Sequence, residues 1–156
     1  LDLGCGTGLC GVAVKDLAKR IDGVDLSGEM LKLARKRRVY KTLTKLEVVA
    51  YMDKTRRSYD LVLGADVFVY FGLLDELFAS VAAVLKPGGL AIFSLEAYQE
   101  AGFELTASGR YAHGRTYVRD AALAARFKER SVNSEKLRIE YGKPVLGDIW
   151  VFQNPD

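Results

Sequence analysis

The first eight residues, Leu1-Asp2-Leu3-Gly4-Cys5-Gly6-Thr7-Gly8, constrain the fold more than any other stretch. An apolar run meets three glycines at alternate positions, and an amphipathic stretch follows at once. Glycine lets a backbone turn left-handed and come close to a neighbouring group with no Cβ in the way. A glycine turn between a strand and a helix needs a sheet whose two faces are both covered by helices. The helix opening near Gly8 presents free amides and a positive dipole end, which suits an anionic group.

Two ligand patterns overlap here. Gly6-Thr7-Gly8-Leu9-Cys10-Gly11 fits the dinucleotide spacing G-x-G-x-x-G. Gly4, Gly6 and Gly8 fit a G-x-G-x-G loop preceded by an acid, Asp2. The dinucleotide loop puts its first glycine directly after the strand, at Gly4, and its third would then fall on Leu9. Only the second pattern places all three glycines. About 20 residues on, Gly23-Val24-Asp25-Leu26-Ser27 ends a second strand on a carboxylate that can accept both ribose hydroxyls, as either nucleoside ligand requires.

Periodicity extends the pattern. Helices are expected over 12–19, from an N-cap at Ser27 with Met30, Leu31 and Ala34 on one face, over 74–85 and over 118–127. Strands are expected over 21–26, 43–49, 59–65 and 90–95. Residues 96–116 show no clean period. The runs 134–141 and 145–152, joined by Gly142-Lys143-Pro144, read as a hairpin. This is a single α/β domain over 1–156. Ligands of such sheets bind beyond the carboxyl ends of the strands.

Composition bounds the rest. With 49% hydrophobic and 28% charged residues the chain is globular, and its net charge of +3 is too small to demand a polyanion. The longest apolar runs are far too short to span a membrane. Cys5 and Cys10 form no C-x-x-C pair and are too few for a metal framework, so no metal is expected. Seven cations, Lys32, Arg35, Lys36, Arg37, Arg38, Lys41 and Lys45, occur with no acid between them and only Tyr40 as an interleaved aromatic. A solvated helix face explains them better than a nucleic-acid surface. The chain opens on Leu1 rather than Met, so the expectation is a catalytic domain lacking an N-terminal lid segment. A cytoplasmic setting is favoured, with any targeting segment and the oligomeric state left open.

Residues 1–8, 23–30, 59–70 and 85–95 resemble the motifs of class I S-adenosylmethionine-dependent methyltransferases. More narrowly, 65–70, 93–96 and 108–113 are similar to a bacterial-type group that includes methyltransferases fused to tetratricopeptide repeats. The resemblance implies a Rossmann-like fold with a mostly parallel seven-stranded sheet, strand order 3-2-1-4-5-7-6, and a C-terminal antiparallel hairpin. It implies S-adenosylmethionine as cofactor and a small molecule as methyl acceptor. Gly4, Cys5 and Gly6 would pass under the methionine and ribose, and Asp25 would bind the ribose. Leu26 and Met30 would pack near the adenine. Glu47 would accept from the adenine amino group beside Val48, with Asp53 as the competing acid, and Ala65 would close the site after the fourth strand. A weakly active subunit serving as a binding module and an RNA methyltransferase are the rival readings.

Methyl transfer from a sulfonium needs mainly alignment, with a general base where the acceptor is a weak nucleophile. Candidates follow the fourth and fifth strands: Asp66 and Tyr70, then Glu96 and Tyr98. His113, the single histidine, has an ordinary pKa suited to a base. His113 and Tyr70 are the catalytic candidates, and packing roles for both stay open. Arg110 is a candidate for holding an acidic substrate.

Overall fold

The computed structural model describes residues 1–156. β1 (Asp2–Leu3), β2 (Asp22–Asp25), β3 (Thr42–Lys45), β4 (Tyr59–Gly64) and β5 (Leu85–Tyr98) lie parallel in the order β3-β2-β1-β4-β5. The short β6 (Phe103–Leu105) and β7 (Tyr111–Gly114) pair antiparallel with each other. β8 (Lys128–Glu140) pairs with β9 (Lys143–Gln153), and β9 runs antiparallel along β5. Seven strands, ending β5-β9-β8, thus follow the expected order, and β6 and β7 bring the sheet to nine.

The helices are α1 (Leu9–Val14), α2 (Gly28–Lys36), α3 (Val48–Lys54), α4 (Asp75–Val84) and α5 (Arg115–Ala124), with a 3-10 turn at Phe68–Tyr70. Ser27 caps α2 as expected, accepting from the Met30 amide at 3.3 Å. The core gathers Leu3, Val24, Val62, Phe68, Phe78, Phe93, Trp150 and Phe152. Within it Phe93 stacks on Phe68 and Phe152, and Trp150 stacks on Phe152.

Three segments differ from expectation for physical reasons. The run 43–49 is not one strand. β3 stops at Lys45, and both carboxylate oxygens of Glu47 take the amides of Val49 and Ala50, at 3.0 and 2.8 Å, to start α3. Val48 and Met52, four apart, bury that helix, so a β-branched run was turned helical by its cap and its core face. α1 ends at Val14 instead of Lys19, because Leu17, the next apolar residue, points to solvent. The stretch 96–116 contains a hairpin whose ordering comes from tertiary contacts: Phe103 meets Tyr111, His113 and Tyr117.

Two strand features carry material to the carboxyl edge. β7 pairs with Glu96–Tyr98 of β5, beyond the last β4 pairing at Gly64 and Phe93, and so takes over that side of β5. The β8–β9 hairpin turns at Tyr141 and Gly142, both at positive φ (48° and 75°), as a tight two-residue hairpin requires. Its tip passes the last β5–β9 pair, Glu96 with Gly147, and overhangs the same edge.

Candidate functional site

The glycine loop is built by alternation. Gly4, Gly6 and Gly8 all have positive φ, at 60°, 52° and 86°. The Cys5 amide donates to the Val24 carbonyl at 3.0 Å, and the Gly8 amide closes on the Cys5 carbonyl at 2.8 Å. The three glycines are not equivalent. A Cβ on Gly4 would strike Val67, 2.5 Å away, so Gly4 lets the segment after β4 close against the loop. A Cβ on Gly8 would strike the Tyr40 ring, 2.9 Å away. A Cβ on Gly6 would meet nothing nearer than a backbone oxygen at 3.9 Å. Gly6 alone faces open space, and it stands beside Asp25.

Asp25 ends β2 with its carboxylate fixed by backbone. Oδ2 accepts from the Gly6 amide at 2.8 Å and Oδ1 from the Ser27 amide at 2.7 Å. Each oxygen keeps a second lone pair. Nearby, Leu26 and Met30 are 65% and 42% exposed, apolar side chains left at the cleft mouth. Glu47 stands two residues past β3, at the edge, while Asp53 lies exposed in the last turn of α3. Glu47 is therefore the acid at the strand end, already engaged as a cap. The Val48 side chain is in the core, leaving only its backbone for a ligand. Ala65, directly after β4, is exposed. Cys5 is buried, and burial pushes its thiol up to about 12, so it is inert at neutral pH.

A separate network occupies the edge beyond β4 and β5. Asp66 has φ +55°, uncommon for a non-glycine residue, and its amide donates to Ser94 Oγ at 2.9 Å. From the tip of the β8–β9 hairpin, Arg138 donates to Asp66 Oδ1 at 2.8 Å, to Glu140 at 3.2 Å, and to the buried Glu96. Glu140 also accepts from Arg110 Nη1 at 2.8 Å, and the Arg110 guanidinium lies 5.7 Å over the Tyr70 ring. Tyr70 is exposed at the end of the 3-10 turn. Arg110, put forward as a hold for an acidic group, is thus already paired. Arg138 and Glu140 carried no motif signal; the pairing needs the hairpin register.

His113 sits differently from the other candidates. It is 2% exposed, stacked on Tyr117 with ring centroids 5.9 Å apart. Its Nε2 lies 3.1 Å from the Gly72 carbonyl. A carbonyl only accepts, so Nε2 carries the proton and Nδ1, buried without a partner, does not. Burial holds its pKa below the ordinary value, keeping the ring neutral at pH 7. The imidazole therefore ties β7 to the loop after β4. Residue 113 follows the fifth strand, as expected of a base, and β7 holds its side chain buried. Tyr70 and Asp66 keep solvent-facing positions.

A cavity of about 810 Å³ lined by Leu1, Leu17, Arg20, Arg57, Asp60 and Lys86 lies at the opposite, amino edge of the sheet and shares none of these residues. No helix is long and apolar enough to cross a membrane.

Comparison with known proteins agrees with this geometry. Residues 1–89 match the family described as "Methyltransferase domain". Over 101 residues the chain is 34% identical to malonyl-[acyl-carrier protein] O-methyltransferase of Halalkalibacterium halodurans, covering 60% of this chain and 37% of that protein. It is 28% identical over 98 residues to ubiquinone biosynthesis O-methyltransferase of Shewanella halifaxensis, covering 60% and 42%. The aligned part is thus less than half the length of these relatives. Among solved structures, an S-adenosylmethionine-dependent methyltransferase from Clostridium acetobutylicum superposes with TM-score 0.76 at 17% identity, covering 99% of this chain and 83% of that one. The [4+2]-cyclase SpnF superposes with TM-score 0.79 at 16% identity, covering 99% and 73%. Such distant likenesses establish the fold, and the matched family, which spans more than half of the chain, establishes the kinship. With its glycine loop, acid-ended second strand and strand order, the chain belongs to the methyltransferase domain family and has the class I, S-adenosylmethionine-dependent fold.

Proposed function

We propose that this chain binds S-adenosylmethionine at the carboxyl ends of β1 and β2 and transfers its methyl group to an oxygen of a small-molecule acceptor. The observation that carries the reading is the pairing of Asp25 with Gly6. The carboxylate is fixed by two amides, keeps lone pairs free, and adjoins the one loop glycine whose missing Cβ leaves open space. That fits a ribose diol lying along the loop. Leu26 and Met30 supply apolar surface for a base, and Glu47 supplies an acceptor at the end of β3.

When bound, the cofactor supplies an activated methyl group on a sulfonium. The chain's own residues do the rest. Asp25 fixes the ribose end, and the open face of Gly6 sets how closely the loop approaches it. Ala65 leaves room beside the segment after β4. Tyr70 and Asp66 stand where an acceptor would enter, one a phenol, the other a carboxylate oriented by Arg138. Proximity and alignment of this kind supply most of the acceleration such a displacement needs. The O-methyltransferase names of the sequence relatives support an oxygen acceptor. The strings 65–70, 93–96 and 108–113 further suggest kinship with the group fused to tetratricopeptide repeats.

The test is methyl transfer from labelled S-adenosylmethionine to a panel of phenols, acyl carboxylates, amines and RNA. The account expects label on oxygen, lost in Asp25→Ala at limiting cofactor. Label on a nitrogen, or on added RNA, would overturn the acceptor assignment.

A further inference from the structure

Tyr40 lies between α2 and β3, outside every motif, yet it packs against Gly8, Gly11 and Gly23. Built Cβ atoms on Gly8, Gly11 and Gly23 would each collide with its ring or hydroxyl. These three glycines come from the loop, from α1 and from β2. They leave space for an aromatic ring, not for a ligand.

The ring ends on a charge. Tyr40 Oη donates to Asp2 Oδ2 at 2.6 Å. Asp2 is 1% exposed at the foot of the loop. Burial pushes its carboxyl pKa up, against the pull of the Tyr40 hydroxyl and the Gly11 amide. Tyr40 is the one side chain that hydrogen-bonds this carboxylate, and a buried acid left without it is costly. From the same connection, Arg37 Nε donates to the Thr7 carbonyl at 3.3 Å, at the crest of the loop. The α2–β3 connection thus grips the loop at its foot, at its end and at its crest.

We infer that Tyr40 is a positioning residue for the cofactor: its ring is the floor of the glycine loop and its hydroxyl fixes Asp2 beneath it. The inference rests on the reading of this loop as the S-adenosylmethionine site. Tyr40 touches no bound group itself. It packs under Gly8, next in the chain to Thr7, which Arg37 holds, and two residues from Gly6, which Asp25 holds, and a loop free to shift loses that alignment.

Calorimetric titration of the full chain with S-adenosylhomocysteine decides it, using wild type, Tyr40→Phe, Asp2→Ala and the double variant. Tyr40→Phe keeps the ring and removes only the hydroxyl, and should weaken binding by about tenfold. In the Asp2→Ala background, which has no acceptor for the hydroxyl, the same change should cost almost nothing, because the two residues act through one contact. If Tyr40→Phe alone does not fold, Asp2→Ala and the double variant, which bury no lone carboxylate, should each show that loss against wild type, and wild-type affinity in either would overturn the inference. A Tyr40 of purely structural value would lower the thermal midpoint and leave affinity unchanged. Wild-type binding with undiminished affinity in Tyr40→Phe, or equal losses in both backgrounds, would overturn the inference alone. A wild type that ignores S-adenosylhomocysteine would overturn the cofactor reading and this inference with it.

Discussion

Asp25 and Gly6 are the residues on which the cofactor reading turns, and they fail in different ways. Asp25→Ala removes an acceptor held by two amides and should weaken S-adenosylhomocysteine binding by about 1.5–3 kcal/mol, the scale of hydrogen bonds to a charged group. Equilibrium dialysis measures it, and unchanged affinity would remove the ribose from this carboxylate. Gly6 and Gly11 make a sharper contrast. A side chain on Gly6 enters open space at positive φ, so Gly6→Val should fold with a loss of about 1–2 kcal/mol while abolishing binding. A side chain on Gly11 meets Tyr40, so Gly11→Ala should lower the thermal midpoint further while cofactor affinity per folded molecule changes less. The sequence announced the glycines but not this division. Gly4 reads as a ligand position and Gly8 as the last glycine of the loop, and their neighbours in space, Val67 and Tyr40, are 63 and 32 residues away along the chain. Spacing along a chain reports that a backbone must come close to something; only the packing says to what.

At the scale of elements, the central strand β4 was legible because burial on both faces leaves a near-continuous apolar run, and the C-terminal hairpin because Gly142-Lys143-Pro144 marks its turn. β6 and β7 were not, since they are short and held by the packing of Phe103, Tyr111, His113 and Tyr117 on one another, which no apolar alternation announces. His113 shows the consequence. Buried and neutral, its folded pKa lies below the ordinary value near 6.5, so the unfolded chain binds the extra proton first. Its contribution to stability is therefore complete above that ordinary value and is lost as pH falls below it. Denaturant melts of wild type and His113→Gln between pH 7.5 and 5.5 should show the steeper acid loss in wild type. Parallel pH profiles would show that His113 keeps its proton uptake in the fold. The hairpin tip makes a second prediction. Arg138 compensates Asp66, Glu96 and Glu140 at once, so Arg138→Met should lower the thermal midpoint by about 5 °C or more. Adding Glu96→Gln should recover part of that loss, whereas additive losses would mean that the three carboxylates do not depend on this one guanidinium.

For the whole molecule, fold and chemistry are separate questions. The same architecture superposes on methyltransferases and on the [4+2]-cyclase SpnF, so the sheet alone assigns no reaction. What narrows the choice is the edge where β1 and β2 end: an open Gly6, a fixed Asp25, and apolar side chains left exposed beside them. The most direct test is a calorimetric titration of this chain with S-adenosylhomocysteine, with NAD as the control. The account predicts saturable binding at one site per chain, lost in Gly6→Val, and no heat of binding with NAD. Saturable binding of NAD, or no response to S-adenosylhomocysteine from a folded chain, would contradict it.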